Sequence, residues 1–258
     1  MILGIISDIQ ANILALDAVL NALEQQGADT IICLGDLVGY GPYPDAVISA
    51  IRKRDIQCTL GSADEHLAFN FAKDKASGVG DVTIEWTRRM TKPESIEYLK
   101  TLPVQQRLRT PYGRLRFFHG TLESNAEPLD LTQGDVALQH ELKEARCNII
   151  ACGKTHIPSI VELPNGYIIN PGSVGLSLSG EPGADYALVK IAKSGVQASI
   201  HKVPYDYDAV AFDIGSWELP DVVAYAVRHG KMGQPEKPKP AEKPKDPPAI
   251  GRNAKKPS

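Results

Sequence analysis

Apolar and polar positions follow two regimes along the chain. In the first, short continuous apolar runs are separated by stretches of helical period. Residues 1–7 (MILGIIS) and 30–34 (TIICL) are almost uninterrupted apolar segments, the pattern of strands covered on both faces. Between them Ile13, Leu16, Leu20 and Leu23 recur at helical spacing, with Asn12 placed to cap the helix and Gly27 to end it. A strand–helix–strand unit predicts a parallel pair with a right-handed crossover. A helix over 45–54, a brief strand near 57–60 and a largely helical stretch over 64–102 are predicted next.

The second regime begins near Val104. VQQRLRTPYGRLRFFHG reads as two strands joined by a turn at Pro111-Tyr112-Gly113. A helix over 135–146 and a strand over 148–152 follow, then a hairpin around Asn165-Gly166. Residues 185–191 and 196–203 read as further strands, and 207–212 and 220–229 as closing helices; there is no internal repeat. A parallel α/β half and a hairpin-rich half are both accommodated by two sheets packed face to face with helices outside.

The 258 residues, 43% hydrophobic and 23% charged, suit one large domain or at most two. The reading is a domain over 1–230 and a tail over 231–258. The tail carries seven Lys and one Arg against two Glu and one Asp, a balance of +5; with −3 overall, the body is at −8. Seven prolines and almost no large apolar side chain predict an extended, disordered tail. It either solubilises the protein or makes a weak contact with an acidic partner or nucleic acid. Residues 1–7 have no basic leader and read as a strand, not a signal peptide. No run approaches a membrane span, so no membrane partner is expected. Cys33, Cys58, Cys147 and Cys152 form no C-x-x-C pair and are expected reduced and mostly buried, in a cytoplasmic protein.

Candidate chemistry sits where the predicted strands end, the place where open α/β sheets gather ligands. Asp8, Asp36, the stretch LGSADEH, His119 and His156 each follow a strand, with glycines close by. Singly, such residues are caps or structural histidines. Converging on one rim, two carboxylates and two imidazoles form a mixed O/N site suited to Zn, Mn or Fe. Gly153-Lys154-Thr155 has the ending of a P-loop, but position 148 is Asn148 and a strand follows, so that reading fails.

In order, the chain shows Asp8-Ile9-Gln10, Gly35-Asp36-Leu37-Val38-Gly39, Gly61-Ser62-Ala63-Asp64, His119-Gly120 and Gly153-Lys154-Thr155-His156, followed by NPGSVG at 170–175. These resemble the D-x-H, G-D-x-x-G, G-N-H-D/E, His-Gly and G-H-x-H motifs of the calcineurin-like metallophosphoesterase family, over nearly all of residues 1–230. The resemblance implies a four-layer αββα sandwich, two mixed β-sheets flanked by helices. It also implies two metals bridged by Asp36: one on Asp8, Gln10, Asp36 and His156, the other on Asp36, Ser62, His119 and Lys154. The family pattern has His at 10, Asn at 62 and His at 63 and 154, whereas this chain has Gln10, Ser62, Ala63 and Lys154.

These departures affect the two positions unequally. The first keeps Asp8, Asp36 and His156, with the Gln10 amide oxygen as a weak donor. The second keeps the shared Asp36 and His119, beside the poorer donor Ser62. An ammonium has three donors and no lone pair. At about 4 Å and an effective dielectric near 20 it repels a divalent ion by roughly 8 kcal/mol. Three readings stand: Lys154 is a fixed charge in place of the second metal, it swings to solvent over an eroded site, or two metals bind regardless. At most one divalent transition metal (Mn, Fe or Zn), or none, is expected. The functional expectation is an inactive or slow phosphoesterase relative, a candidate pseudoenzyme, that binds a phosphate-bearing small molecule or phosphoprotein with Lys154 and His119 at the reacting group. The alternative is an active enzyme with one metal and Lys154 in place of the other. Asp64, Glu65 and His66 are either a replacement ligand or acid, or a helix start and solvated face. His140, His201 and His229 receive no role.

Overall fold

A computed structural model describes residues 1–69 and 78–233. Two five-stranded mixed sheets pack face to face. The first comprises β1 (Ile2–Ile6), β2 (Thr30–Cys33), β3 (Gln57–Cys58), β9 (Ala184–Ala192) and β10 (Gly195–Val203), in the order β10-β9-β1-β2-β3. The second comprises β4 (Gln105–Thr110), β5 (Gly113–Phe118), β6 (Ile149–Ala151), β7 (Ser159–Leu163) and β8 (Gly166–Asn170), in the order β4-β5-β6-β8-β7. The predicted parallel pair is present, with Leu3 opposite Thr30 and Ile6 opposite Cys33. Side chains alternate as a pleated strand requires. Leu3 and Ile5 enter a core with Leu115, Phe117, Ile149 and Ile169 of the facing sheet. Ile6 belongs to the helix-side core with Leu16, Val19 and Leu23.

Eight helices among the described residues cover the outer faces. The first sheet is backed by α1 (Ile13–Gln25), α2 (Pro44–Lys53), α3 (Ser62–Phe69) and α5 (Pro93–Lys100). The second is backed by α6 (Asp135–Glu144), through Leu138 and Leu142. Trp86 of α4 (Val79–Met90) packs with α7 (Tyr207–Ser216) and α8 (Asp221–His229). Asn12 caps α1 as its position predicts, accepting from Ala15 N at 3.1 Å. No helix among the described residues is long and apolar enough to cross a membrane.

Several boundaries differ from the sequence expectation. Leu34 lies past the end of β2, and the strand expected over 57–60 shrinks to Gln57–Cys58. Thr59 N still bonds Cys33 O at 3.0 Å, but the chain then turns to place Gly61 against Asp36. The 64–102 helical stretch is three helices, the first starting at Ser62; its residues 70–77 lie outside the described set, as does the tail from 234. The hairpin turn is Pro164-Asn165, and Gly166 already pairs with Leu163. Helix α7 continues to Ser216 because Ile214, beyond the predicted end at 212, is still buried with Val210 and Ala211. The four cysteines are free, three buried and Cys147 half-buried.

Phe117 is fully buried between the sheets and Val136 is 85% exposed. Phe117→Ala should therefore cost about 3–5 kcal/mol in urea denaturation, and Val136→Ala less than about 0.5 kcal/mol.

Candidate metal and phosphate site

The loops after β1, β2, β3, β5 and β6 meet at one rim of the sandwich. Backbone bonds lace them together: Asp8 N to Gly35 O at 3.0 Å, Gln10 N to Asp36 O at 3.0 Å, Ala11 N to Leu37 O at 2.8 Å and Gly153 N to His119 O at 2.7 Å. Nine non-glycine residues have positive φ among the described residues, and five of them are Asp8, Gln10, Asp36, Lys154 and His156. Left-handed backbone at such residues costs about 1–3 kcal/mol each and persists only where the surroundings over-determine it. Close approach is equally constrained. A Cβ on Gly153 would lie 2.1 Å from Ser7 Oγ, and one on Gly61 2.0 Å from Asp36 N.

The loop after β8 acts as a clamp. Asn170 Nδ2 donates to Gly153 O at 2.9 Å and Thr155 Oγ1 at 3.0 Å. Ser173 Oγ donates to Asp8 O at 2.7 Å, and His156 Nδ1 lies 2.8 Å from Leu176 O. One segment thus holds the loops of Asp8, Lys154 and His156 together.

At the centre, Asp8, Asp36 and His119 are buried, and their ligating atoms lie within 4.8 Å of one another. Asp8 Oδ1 is 3.2 Å from His156 Nε2 and 3.9 Å from His119 Nε2; Asp36 Oδ2 is 3.3 Å from His119 Nε2. His119 Nδ1 is 3.0 Å from Leu34 O. Both rings thus donate outward through Nδ1 and aim Nε2 inward, the arrangement that orients an imidazole for a metal. Asp8 Oδ1, Gln10 Oε1 and His119 Nε2 are buried without an aligned hydrogen-bond partner. One divalent cation on Asp8, Asp36 and His119 would satisfy the two ligating atoms among them, so the residues fit a single ion.

Gln10 is oriented contrary to its expected ligand role. Its amide nitrogen lies 3.1 Å from Asp36 Oδ2 and 3.4 Å from His156 Nε2, so a donor faces the carboxylate. Presenting the oxygen would require the amide to turn over. Lys154 reaches into the site: its Nζ donates to Ser62 Oγ at 2.6 Å, and its backbone N to Asp8 Oδ2 at 3.1 Å. Asp36 Oδ1 accepts from Ala63 N at 2.7 Å at the start of α3.

Burial alone would raise the Asp8 and Asp36 carboxyls. The imidazoles outweigh it, His156 chiefly for Asp8 and His119 for Asp36, where Lys154 adds to the effect; both sit below their ordinary values. Burial likewise opposes charge on His119, but Asp36 and then Asp8 hold it up at about 9. His156 is raised against burial, chiefly by Asp8.

Asp64 does not lie on a solvated face. It is fully buried and accepts from Gly61 N and Val38 N, both at 3.1 Å, tying the second and third motif loops together. Burial, and secondarily the charge of Asp36, pushes its carboxyl up to about 7.

A cleft of about 300 Å³ opens above this centre. Gln10, Asp36, Ser62, Lys154 and His156 line it on one side, and Tyr40 with Gly80, Thr83 and Ile84 of α4 on another. Thr87 Oγ1 donates to Gly39 O at 3.1 Å and so docks α4 on the loop after β2.

The model of the calcineurin-like phosphoesterase superfamily domain matches residues 1–194. The chain belongs to this family. It is 27% identical over 238 residues to the uncharacterized protein MJ0912 of Methanocaldococcus jannaschii, covering 85% of this chain and 94% of that protein. A crystal structure of a metallophosphoesterase from Sphaerobacter thermophilus superposes with a TM-score of 0.73 at 25% identity, over 89% of this chain and 99% of that one. The hypothetical protein PH1004 of Pyrococcus horikoshii OT3 shares the fold, with a TM-score of 0.79 at 22% identity over 90% and 99% of the two chains.

In this member of the calcineurin-like phosphoesterase family, Asp8, Gln10, Asp36, Ser62, His119, Lys154 and His156 all converge. Sequence reasoning missed the holding roles of Asn170, Ser173 and Asp64 and the α4 wall. Asn170 and Ser173 lie in a stretch already notable for its resemblance, but α4 carries no local signal of its position. Asn170→Ala strips Gly153 O and Thr155 of a buried donor and should cost about 1–3 kcal/mol in chemical denaturation. The same change at exposed Asn165 in the hairpin turn should cost less than about 0.5 kcal/mol.

Proposed function

We propose that the cleft binds a phosphate ester against Lys154, with at most one divalent cation held by Asp8, Asp36 and the inward-facing imidazoles, and that any hydrolysis is slow. The observation that carries this reading is the bond from Lys154 Nζ to Ser62 Oγ at 2.6 Å. It supports the fixed-charge reading over a lysine turned to solvent. The ammonium stands among the residues that a second ion would use, where it repels a divalent cation and attracts a phosphoryl oxygen.

A bound ion would supply Lewis-acid stabilisation of the phosphoryl group and activation of water. The chain's own residues do the rest. Lys154 offers donors to a phosphoryl oxygen, and where no ion is bound the negative charge of Asp8 and Asp36 is offset by His119 and His156. The cleft volume suits a small phosphate ester rather than a folded phosphoprotein surface. On this reading residues 1–230 form the binding domain, and the basic tail is an appendage that can touch an acidic partner. Without a second ion, turnover falls by orders of magnitude relative to a two-ion enzyme.

Protein purified without chelator should contain no more than one Mn, Fe or Zn per chain by elemental analysis. The combined Gln10→His, Ser62→Asn and Lys154→His variant should move towards two. Two ions per wild-type chain, or a folded triple variant that gains no metal, would refute the assignment. Lys154→Ala should weaken binding of phenyl phosphate about 10- to 100-fold by calorimetry, the loss of one charged hydrogen bond.

A further inference from the structure

An imidazole, His66, stands on α3 one turn after Ser62 and lines the cleft. We propose that His66 protonates the leaving oxygen of the ester. This rests on the reading of the cleft as a phosphate-ester site.

Two observations and one general property of helices converge on it. His66 lines the cleft together with Ser62, Ala63 and Lys154. Its register in α3 is i+4 from Ser62 and i+3 from Ala63, so the three share one helix face. Helical side chains as a rule lean towards the N-terminus, which directs a residue at position 66 towards the turn that starts at Ser62, where Lys154 Nζ is bonded. The position is also held from outside, because Arg88 donates to His66 O at 3.0 Å and ties α3 to α4.

The other imidazoles are placed for different tasks. His119 and His156 face the carboxylates at the floor. His140 is exposed beside Glu144, His201 stacks on Tyr186 and His229 on Tyr225, and none of these three lines the cleft. Asp64 is committed to backbone amides.

The step balances without a further reagent. Water oxygen bonds to phosphorus as the P–O bond to the alcohol breaks. The electron pair of that bond goes to the alcohol oxygen, which takes the proton from the His66 imidazolium. The phosphate formed carries both water protons and returns one to His66, leaving alcohol, hydrogen phosphate and a restored imidazolium.

The test compares leaving groups. General-acid assistance matters little to a stable phenolate and greatly to a poor leaving group. With the full chain as purified, His66→Ala should lower kcat/KM for phenyl phosphate about 100-fold and for p-nitrophenyl phosphate less than about 3-fold. His66→Gln, which keeps size and polarity, should show the same contrast if the Ala variant does not fold. Equal losses on both esters, or no loss on either, overturn the proposal. If the wild type binds phenyl phosphate in calorimetry but hydrolyses neither ester, the acid role is overturned and the binding reading stands. If it does not bind the ester, both fall.

Discussion

On the proposed reading, the Lys154 side chain, bonded to Ser62 Oγ beside the buried carboxylate of Asp36, governs the chemistry open to this site. Two carboxylates buried at a strand-end rim are costly unless cations compensate them. In a two-ion site the compensation is removable and acts as a Lewis acid. On the proposed reading, part of it in this chain is covalently attached and able only to donate hydrogen bonds. Gln10 follows the same logic, since its amide nitrogen rather than its oxygen faces Asp36 Oδ2. Both departures present N–H groups to the site, which on that reading favours an anion over a second cation.

Holding these groups together requires a scaffold that overrides local backbone preference. Asp8, Gln10, Asp36, Lys154 and His156 all adopt left-handed backbone. That strain is sustained by the lacing of the first loop to the second and by the clamp from Asn170 to Leu176. Behind the loops lies the apolar layer between the sheets, which fixes where each strand ends. Core packing, loop lacing and side-chain placement therefore form one chain of cause, with the reactive rim at its end.

The strong periodic signals in the sequence map directly onto elements. The apolar runs of β1 and β2 and the Ile13–Leu23 spacing of α1 stand where the pattern puts them. Errors fall where tertiary contacts decide. The strand after Ile56 stops early because Gly61 must approach Asp36, and α7 runs long because Ile214 still finds a core. Asp64 looks like an exposed helix-start residue in one dimension, yet two backbone amides from separate loops converge on it.

The order and spacing of Asp8, Asp36, Ser62, His119, Lys154 and His156 are properties of the sequence alone, as are the β-α-β start and the substitution of an ammonium for an imidazole. These follow from residue type and periodicity, which need no partner to be read. Orientation belonged to the tertiary structure: Lys154 turned inward onto Ser62, Gln10 presenting nitrogen, both imidazoles aiming Nε2 at the carboxylates, and α4 walling the cleft. Each depends on hydrogen-bond partners from distant segments, such as Leu34, Leu176 and Ser62, whose proximity no local pattern encodes.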